Sequence, residues 1–199
     1  MAGLTAEAVR ERYQRIRERV GEGVTVVAAT KYVSVEELAA LAEAGVEVVG
    51  ENRAQDLLSK HAVYGDAFRW HFIGHLQSNK VKVVNGICEL VHSLDSESSA
   101  RRLAVPALLE VNLSGETSKS GIAPEEIERF LSLHAGIRGL MTMPPLAAEP
   151  EASRASFRRL AELAAEYGLA QLSMGTSQDW TVAVEEGATL IRVGSILLR

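Results

Sequence analysis

One cysteine in the whole chain excludes an internal disulfide and fits a reducing compartment. Cys88 lies in Gly86-Ile87-Cys88-Glu89-Leu90 with no histidine pair close by, so it reads as a buried packing thiol. No apolar run is long and charge-free enough to span a bilayer. The stretch from Met1 to Val20 lacks the apolar core of a secretory signal. No G-x-G-x-x-G follows the first strand pattern, which removes the usual dinucleotide fingerprint. There is no excess of positive charge either: the net charge of -5 gives no nucleic-acid footprint. Linkers and low-complexity segments are missing as well. A soluble, cytoplasmic, single-domain protein spanning residues 1–199 is the expectation.

What is present is ordinary in amount and regular in order. Apolar residues make up 47% and charged residues 24%, enough for one well-buried domain. Val9, Tyr13, Ile16 and Val20 recur at helical spacing, so the chain opens on an amphipathic helix. Its five arginines and four glutamates, between Glu7 and Glu22, predict a solvated, ion-paired face. Strand and helix patterns then alternate eight times. The strands are read at 24–29, 46–49, 69–73, 89–92, 107–111, 137–141, 170–174 and 189–193. Ser34 and Glu37 form a capping box, and Gly45 suits the end of the helix it opens. Pro124 suits a first helical position. The stretch 96–106 leaves little room for a full helix. Eight such units with short connections predict an α/β fold: a (β/α)₈ TIM-like barrel with an extra N-terminal helix. A doubly wound open sheet is the alternative.

In a barrel, the residues just past each strand share one mouth, where sites of this architecture form. The first strand delivers Lys31 there. An amine partly desolvated at that point can condense with an aldehyde. A solvated lysine in a βα loop is the competing reading, and position alone favours it. The tips after the last two strands, Ser173-Met174-Gly175-Thr176-Ser177 and Arg192-Val193-Gly194-Ser195, are neighbours rich in glycine and hydroxyls. Loops in that place recurrently bind phosphate. Arg192 stands between apolar Ile191 and Val193, so it needs an anionic or acceptor partner. Either a ligand or Glu110, inside the fifth strand, can supply one.

Several segments carry a family resemblance. They are Ala29-Thr30-Lys31, Gly50-Glu51-Asn52-Arg53, the run from Trp70 to Lys80, Val111-Asn112-Leu113-Ser114-Gly115-Glu116, Ser118-Lys119-Ser120-Gly121, Gly139-Leu140-Met141, Leu172-Ser173-Met174-Gly175 and Arg192-Val193-Gly194. In these the chain resembles the pyridoxal phosphate homeostasis proteins, a single-domain family similar to the N-terminal barrel of alanine racemase (fold type III among pyridoxal 5′-phosphate, PLP, proteins). The resemblance implies that PLP is held as a Schiff base on Lys31. It implies that Ser177 and the backbone around Gly194 and Ser195 hold the phosphate. Arg192 then faces the pyridine nitrogen and Asn52 lies near the cofactor, with His75 and Met141 as weaker candidates. Three features depart from the family pattern: Thr176 in place of methionine, the shortened 96–106 segment, and the ending Ile196-Leu197-Leu198-Arg199.

The implied function is PLP carriage or buffering without efficient turnover, with PLP-requiring apo-enzymes as recipients, no metal, and a monomeric state. An arginine cannot accept a proton, so a ring nitrogen facing it stabilises a carbanion poorly. The sequence after the eighth strand is also too short for the second domain that alanine racemase uses. The alternative is an enzyme, either an amino-acid racemase or a Schiff-base aldolase. For a racemase, His75 and Lys80 are the only bases that can be placed at the mouth.

Overall fold

The computed structural model describes residues 4–116 and 119–199, so Ser118 of the resembling segments lies outside the described residues. Eight parallel strands close into a barrel in sequence order. They are β1 (Thr25–Ala29), β2 (Val48–Glu51), β3 (Arg69–Phe72), β4 (Leu90–Leu94), β5 (Ala107–Glu110), β6 (Ile137–Met141), β7 (Gln171–Thr176) and β8 (Leu190–Val193). β1 pairs with β8, from Thr25 against Leu190 to Ala28 against Val193, which closes the cylinder. The barrel expected from the sequence is the barrel observed, and the open sheet is excluded.

The N-terminal helix α1 (Ala6–Val20) buries Val9, Tyr13, Ile16 and Val20, the stripe set by its periodicity. Thr5 caps it by accepting from the Ala8 N–H. Its arginines depart from expectation. Only Arg15 pairs along the helix, with Glu11. Arg10, Arg12 and Arg17 instead donate to the backbone carbonyls of Glu43, Leu197 and Val24, fastening α1 across the β8–β1 seam. Arg19 lies 5.1 Å above the Trp180 ring.

The outer layer continues with α2 (Leu38–Ala44), α3 (Ala54–Tyr64), α4 (Val81–Asn85), α5 (Glu97–Ala100), α6 (Ile127–Leu133), α7 (Arg154–Glu166), α8 (Trp180–Glu185) and α9 (Ser195–Leu198). The capping box is present: the Ser34 N–H donates to Glu37, and the Glu37 N–H to Ser34 Oγ. One turn is all that 96–106 accommodates, as its length requires. No helix among the described residues is long and apolar enough to cross a membrane.

The barrel interior is layered. Val27, Val48, Leu90, Leu108, Met141 and Leu190 form a separate apolar cluster that plugs the cylinder. Side chains alternate between faces along a strand, so the same face two residues later carries Ala29, Gly50, His92, Glu110 and Arg192. Polar groups therefore sit directly above the plug, toward the C-terminal ends of the strands. His92, Glu110 and Arg192 are all buried.

Candidate functional site

Each strand tip at the mouth is tied to a neighbouring one, mostly by a small hydroxyl residue. Just past β1, the Thr30 N–H donates to the Gly50 carbonyl at 3.1 Å, and its hydroxyl to Glu51 Oε1 at 2.5 Å. The Ile73 N–H donates to the Glu51 carbonyl at 2.9 Å. Gly74 then packs on Asn52 so closely that a Cβ would lie 2.2 Å from the Asn52 carbonyl oxygen. Ser93 donates to the Gly74 carbonyl. On the far side, the Thr142 hydroxyl donates to the Val111 carbonyl at 2.9 Å. Ser177 Oγ accepts the Gly194 N–H at 3.0 Å, which draws the last two loops together. The tips are thus stitched in two runs, β1 to β4 and β5 to β8, the second joined by the Thr142 N–H to the Ser173 carbonyl.

Outside the barrel wall, between β2 and α3, lies a buried ion pair. Lys60, on α3, donates to Glu51 Oε1 at 2.6 Å and to the Thr30 carbonyl at 2.8 Å. Both side chains are almost fully buried, and Glu51 Oε2 has no protein partner. The lysine holds the backbone next to Lys31 from the helix layer outside the barrel.

Of the residues picked from sequence, four come together on the β8 side. Arg192 is 6% exposed and donates through Nη2 to the Thr142 carbonyl at 3.1 Å and through Nη1 to Ser173 Oγ. Gly194 precedes the short helix α9, whose first amides, on Ser195 and Ile196, have no intrahelical acceptor. With Ser177 bound to Gly194, hydroxyls and free amides converge there. Arg192 also lines a cavity of ≈ 270 Å³ bounded by Gly175, Thr176, Asp179 and the 142–150 loop. Thr176, the departure from the family pattern, uses its hydroxyl and its N–H to hold Asp179. The alternative Arg192–Glu110 ion pair does not form: Glu110 is held by Ser120 instead. Burial pushes the Glu110 carboxyl upward, while Arg192 is lowered to about 10 by desolvation against the pull of Glu110 and Asp179.

Lys31 and Asn52 stand on the β1–β2 side. The expectation of a partly desolvated amine is corrected by the structure: Lys31 is exposed, with Nζ 4.8 Å from the ring centroid of Tyr32. A charged ammonium gains from water and from an aromatic face. Asn52 Oδ1 is buried without a protein partner, an amide free to meet a ligand. His75 is exposed and 3.4 Å from Asp95, while Met141 belongs to the apolar plug rather than the mouth. Lys80 begins α4.

Sequence reading missed the polar side chains inside the cylinder. His71 Nδ1 is 2.9 Å from His92 Nε2, and His92 Nδ1 is 2.7 Å from Ser173 Oγ, the hydroxyl that accepts from Arg192. Desolvation lowers His71 to about 3 and His92 well below its ordinary range. A period-2 reading finds them as polar residues standing on inward positions of otherwise apolar strands.

A parallel eight-stranded barrel with these tips is the architecture of the alanine racemase N-terminal domain, and the family model of that description matches residues 4–198. Among curated relatives, the pyridoxal phosphate homeostasis protein of Aquifex aeolicus is 39% identical across 95% of this chain and 93% of its own length. The solved structure of PipY from Synechococcus elongatus without PLP superposes with a TM-score of 0.87 at 32% identity, covering 96% of this chain and all of that one. The same protein with PLP bound superposes at 0.85. The chain belongs to the pyridoxal phosphate homeostasis protein family.

Proposed function

We propose that this protein binds PLP at the barrel mouth and holds it reversibly on Lys31, storing and supplying the cofactor without efficient turnover. The observation that carries the reading is Arg192, a buried cation bound only to neutral acceptors, one strand from Lys31 and beside the Ser177–Gly194 cup. The residues present fit the group. Amides and a hydroxyl suit a phosphate, the guanidinium suits a ring nitrogen as acceptor, and the partnerless Asn52 oxygen lies on the Lys31 side.

When bound, PLP supplies an aldehyde that condenses reversibly with amines. Lys31 is the amine at hand, and its flexible four-carbon stem lets it leave the Tyr32 ring and turn inward. Ser177, Gly194 and Ser195 grip the phosphate. Arg192 donates and cannot accept, so it leaves the ring nitrogen without a proton and lessens the ring's capacity as an electron sink. His75 stands exposed at the rim, 3.4 Å from Asp95, rather than inside the barrel. A carrier suits these groups better than a racemase does. The proposed setting is the cytoplasm, with PLP-requiring apo-enzymes as recipients and a monomeric carrier.

Purified protein given PLP and then borohydride is expected to carry one pyridoxyl group, placed by peptide mass on Lys31. Lys31→Ala is expected to stay folded and lose the adduct. A protein that takes up no PLP, or an adduct on another lysine, counts against the reading. Rapid conversion of L-alanine to D-alanine by the loaded protein defeats the carrier function.

A further inference from the structure

We propose that Ser173 and His92 are positioning residues for Arg192, forming with His71 a one-way hydrogen-bonded relay across the barrel that keeps the guanidinium away from Glu110. The functional weight of the relay rests on the PLP reading, but its existence does not. The direction of every bond follows from donor and acceptor inventories. Arginine has only donors, so at the Arg192–Ser173 contact the serine oxygen must accept. Ser173 is fully buried and its oxygen touches only Arg192 and His92 among the described residues, so the single proton it has to give is paired only if His92 Nδ1, at 2.7 Å, accepts it. A neutral imidazole carries one N–H, so that of His92 is on Nε2 and donates to His71 Nδ1 at 2.9 Å. The proton of His71 is therefore also on Nε2. Both histidines then share the same tautomer, and reversing the chain would leave the buried Ser173 proton without an acceptor, because Arg192 cannot take it.

Burial maintains this polarity. His71, His92, Ser173 and Arg192 are at most 6% exposed. A histidinium at position 92 would turn Nδ1 into a donor facing the serine hydroxyl and set a second cation near Arg192. The relay also answers a question of balance. Glu110 and Asp179 both attract Arg192, yet no carboxylate among the described residues lies within ion-pairing distance of it. Ser120 occupies Glu110, while Asp179 is held by Thr176 and Ser153. A free serine hydroxyl would rotate. With its proton committed to His92, its lone pair stays on the guanidinium, which remains against Thr142 and the cavity wall.

Long-range ¹H–¹⁵N correlation of histidine-labelled, unloaded protein at neutral pH tests the relay without any cofactor. The expected result is the Nε2–H tautomer for both His71 and His92, assigned by the single variants His71→Phe and His92→Phe. An Nδ1–H tautomer or an imidazolium at His92 overturns the proposal. In the loaded protein, Ser173→Ala is expected to weaken PLP binding about tenfold and shift the absorption band, with both restored by Ser173→Thr, which keeps the hydroxyl. Unchanged affinity and spectrum in folded Ser173→Ala overturns the positioning role. A wild-type protein that binds no PLP refutes the cofactor reading, and the tautomer measurement then decides the relay alone.

Discussion

Lys60 never reaches water, although its side chain is among the best solvated in chemistry. It lies between α3 and the barrel wall, bound to Glu51 and to the carbonyl beside Lys31. Removing one partner of a buried pair leaves the other charge stranded, at a cost of about 3–5 kcal/mol. Lys60→Met is expected to lower the free energy of unfolding by that order in urea titrations, and Lys60→Met with Glu51→Leu to regain most of it. Nothing in the local sequence marks Lys60: on a helix following the Glu51-Asn52-Arg53 tip it reads as one more surface lysine. Lys31 was legible because it ends an apolar strand, but the exposure of its amine was not, since a rotamer is set by solvent and Tyr32 rather than by the strand pattern. Arg192 was legible for a firmer reason. A cation inside an apolar strand has few explanations, and its partners proved to be neutral ones.

The strands of this barrel are covered on both faces, so each shows as an apolar run and its existence is clear from sequence. Their ends are less so. β2 extends to Glu51 and β7 to Thr176, beyond the apolar runs that announce them, because pairing with β3 and β8 continues past the last apolar residue. Polar residues within strands, such as His71, His92 and Ser173, were placed in their strands but given no interior role, although their side chains are buried inside the cylinder. α5 was foreseen as stunted because eleven residues cannot hold a full helix and two turns. The tip after β7 depends on Gly175, at φ +89, where a Cβ would come within 2.6 Å of the Ala183 Cβ on α8. Gly175→Ala is expected to destabilise the protein by about 1–3 kcal/mol and to loosen the Ser177–Gly194 contact. Calorimetry reads the first effect, and amide exchange at Gly194 the second.

For the molecule as a whole, the buried histidines set a pH dependence. His71 titrates near 6.5 when unfolded and about 3 when folded, so the folded state binds fewer protons between those values. Stability is complete above pH 6.5 and declines as pH falls toward 3, by about 1.4 kcal/mol per unit for each such histidine. His92 adds in the same direction. Glu110 works the other way, because its raised carboxyl costs stability as pH rises above its ordinary 4.5. Urea unfolding between pH 5 and 6.5 is expected to show the histidine slope, and His71→Phe with His92→Phe to flatten it. A wild-type slope that survives in the double variant assigns the effect elsewhere.

The seam between β1 and β8 has a consequence for biosynthesis. Thr25 must meet Leu190, so the first strand emerges from the ribosome with one flank bare and stays so until β8 has been made. Contacts that distant in sequence form late and slowly. The nascent chain is therefore most exposed to misassociation just before its final strand appears, and α1, waiting beside that open flank, is placed to latch it once the cylinder shuts.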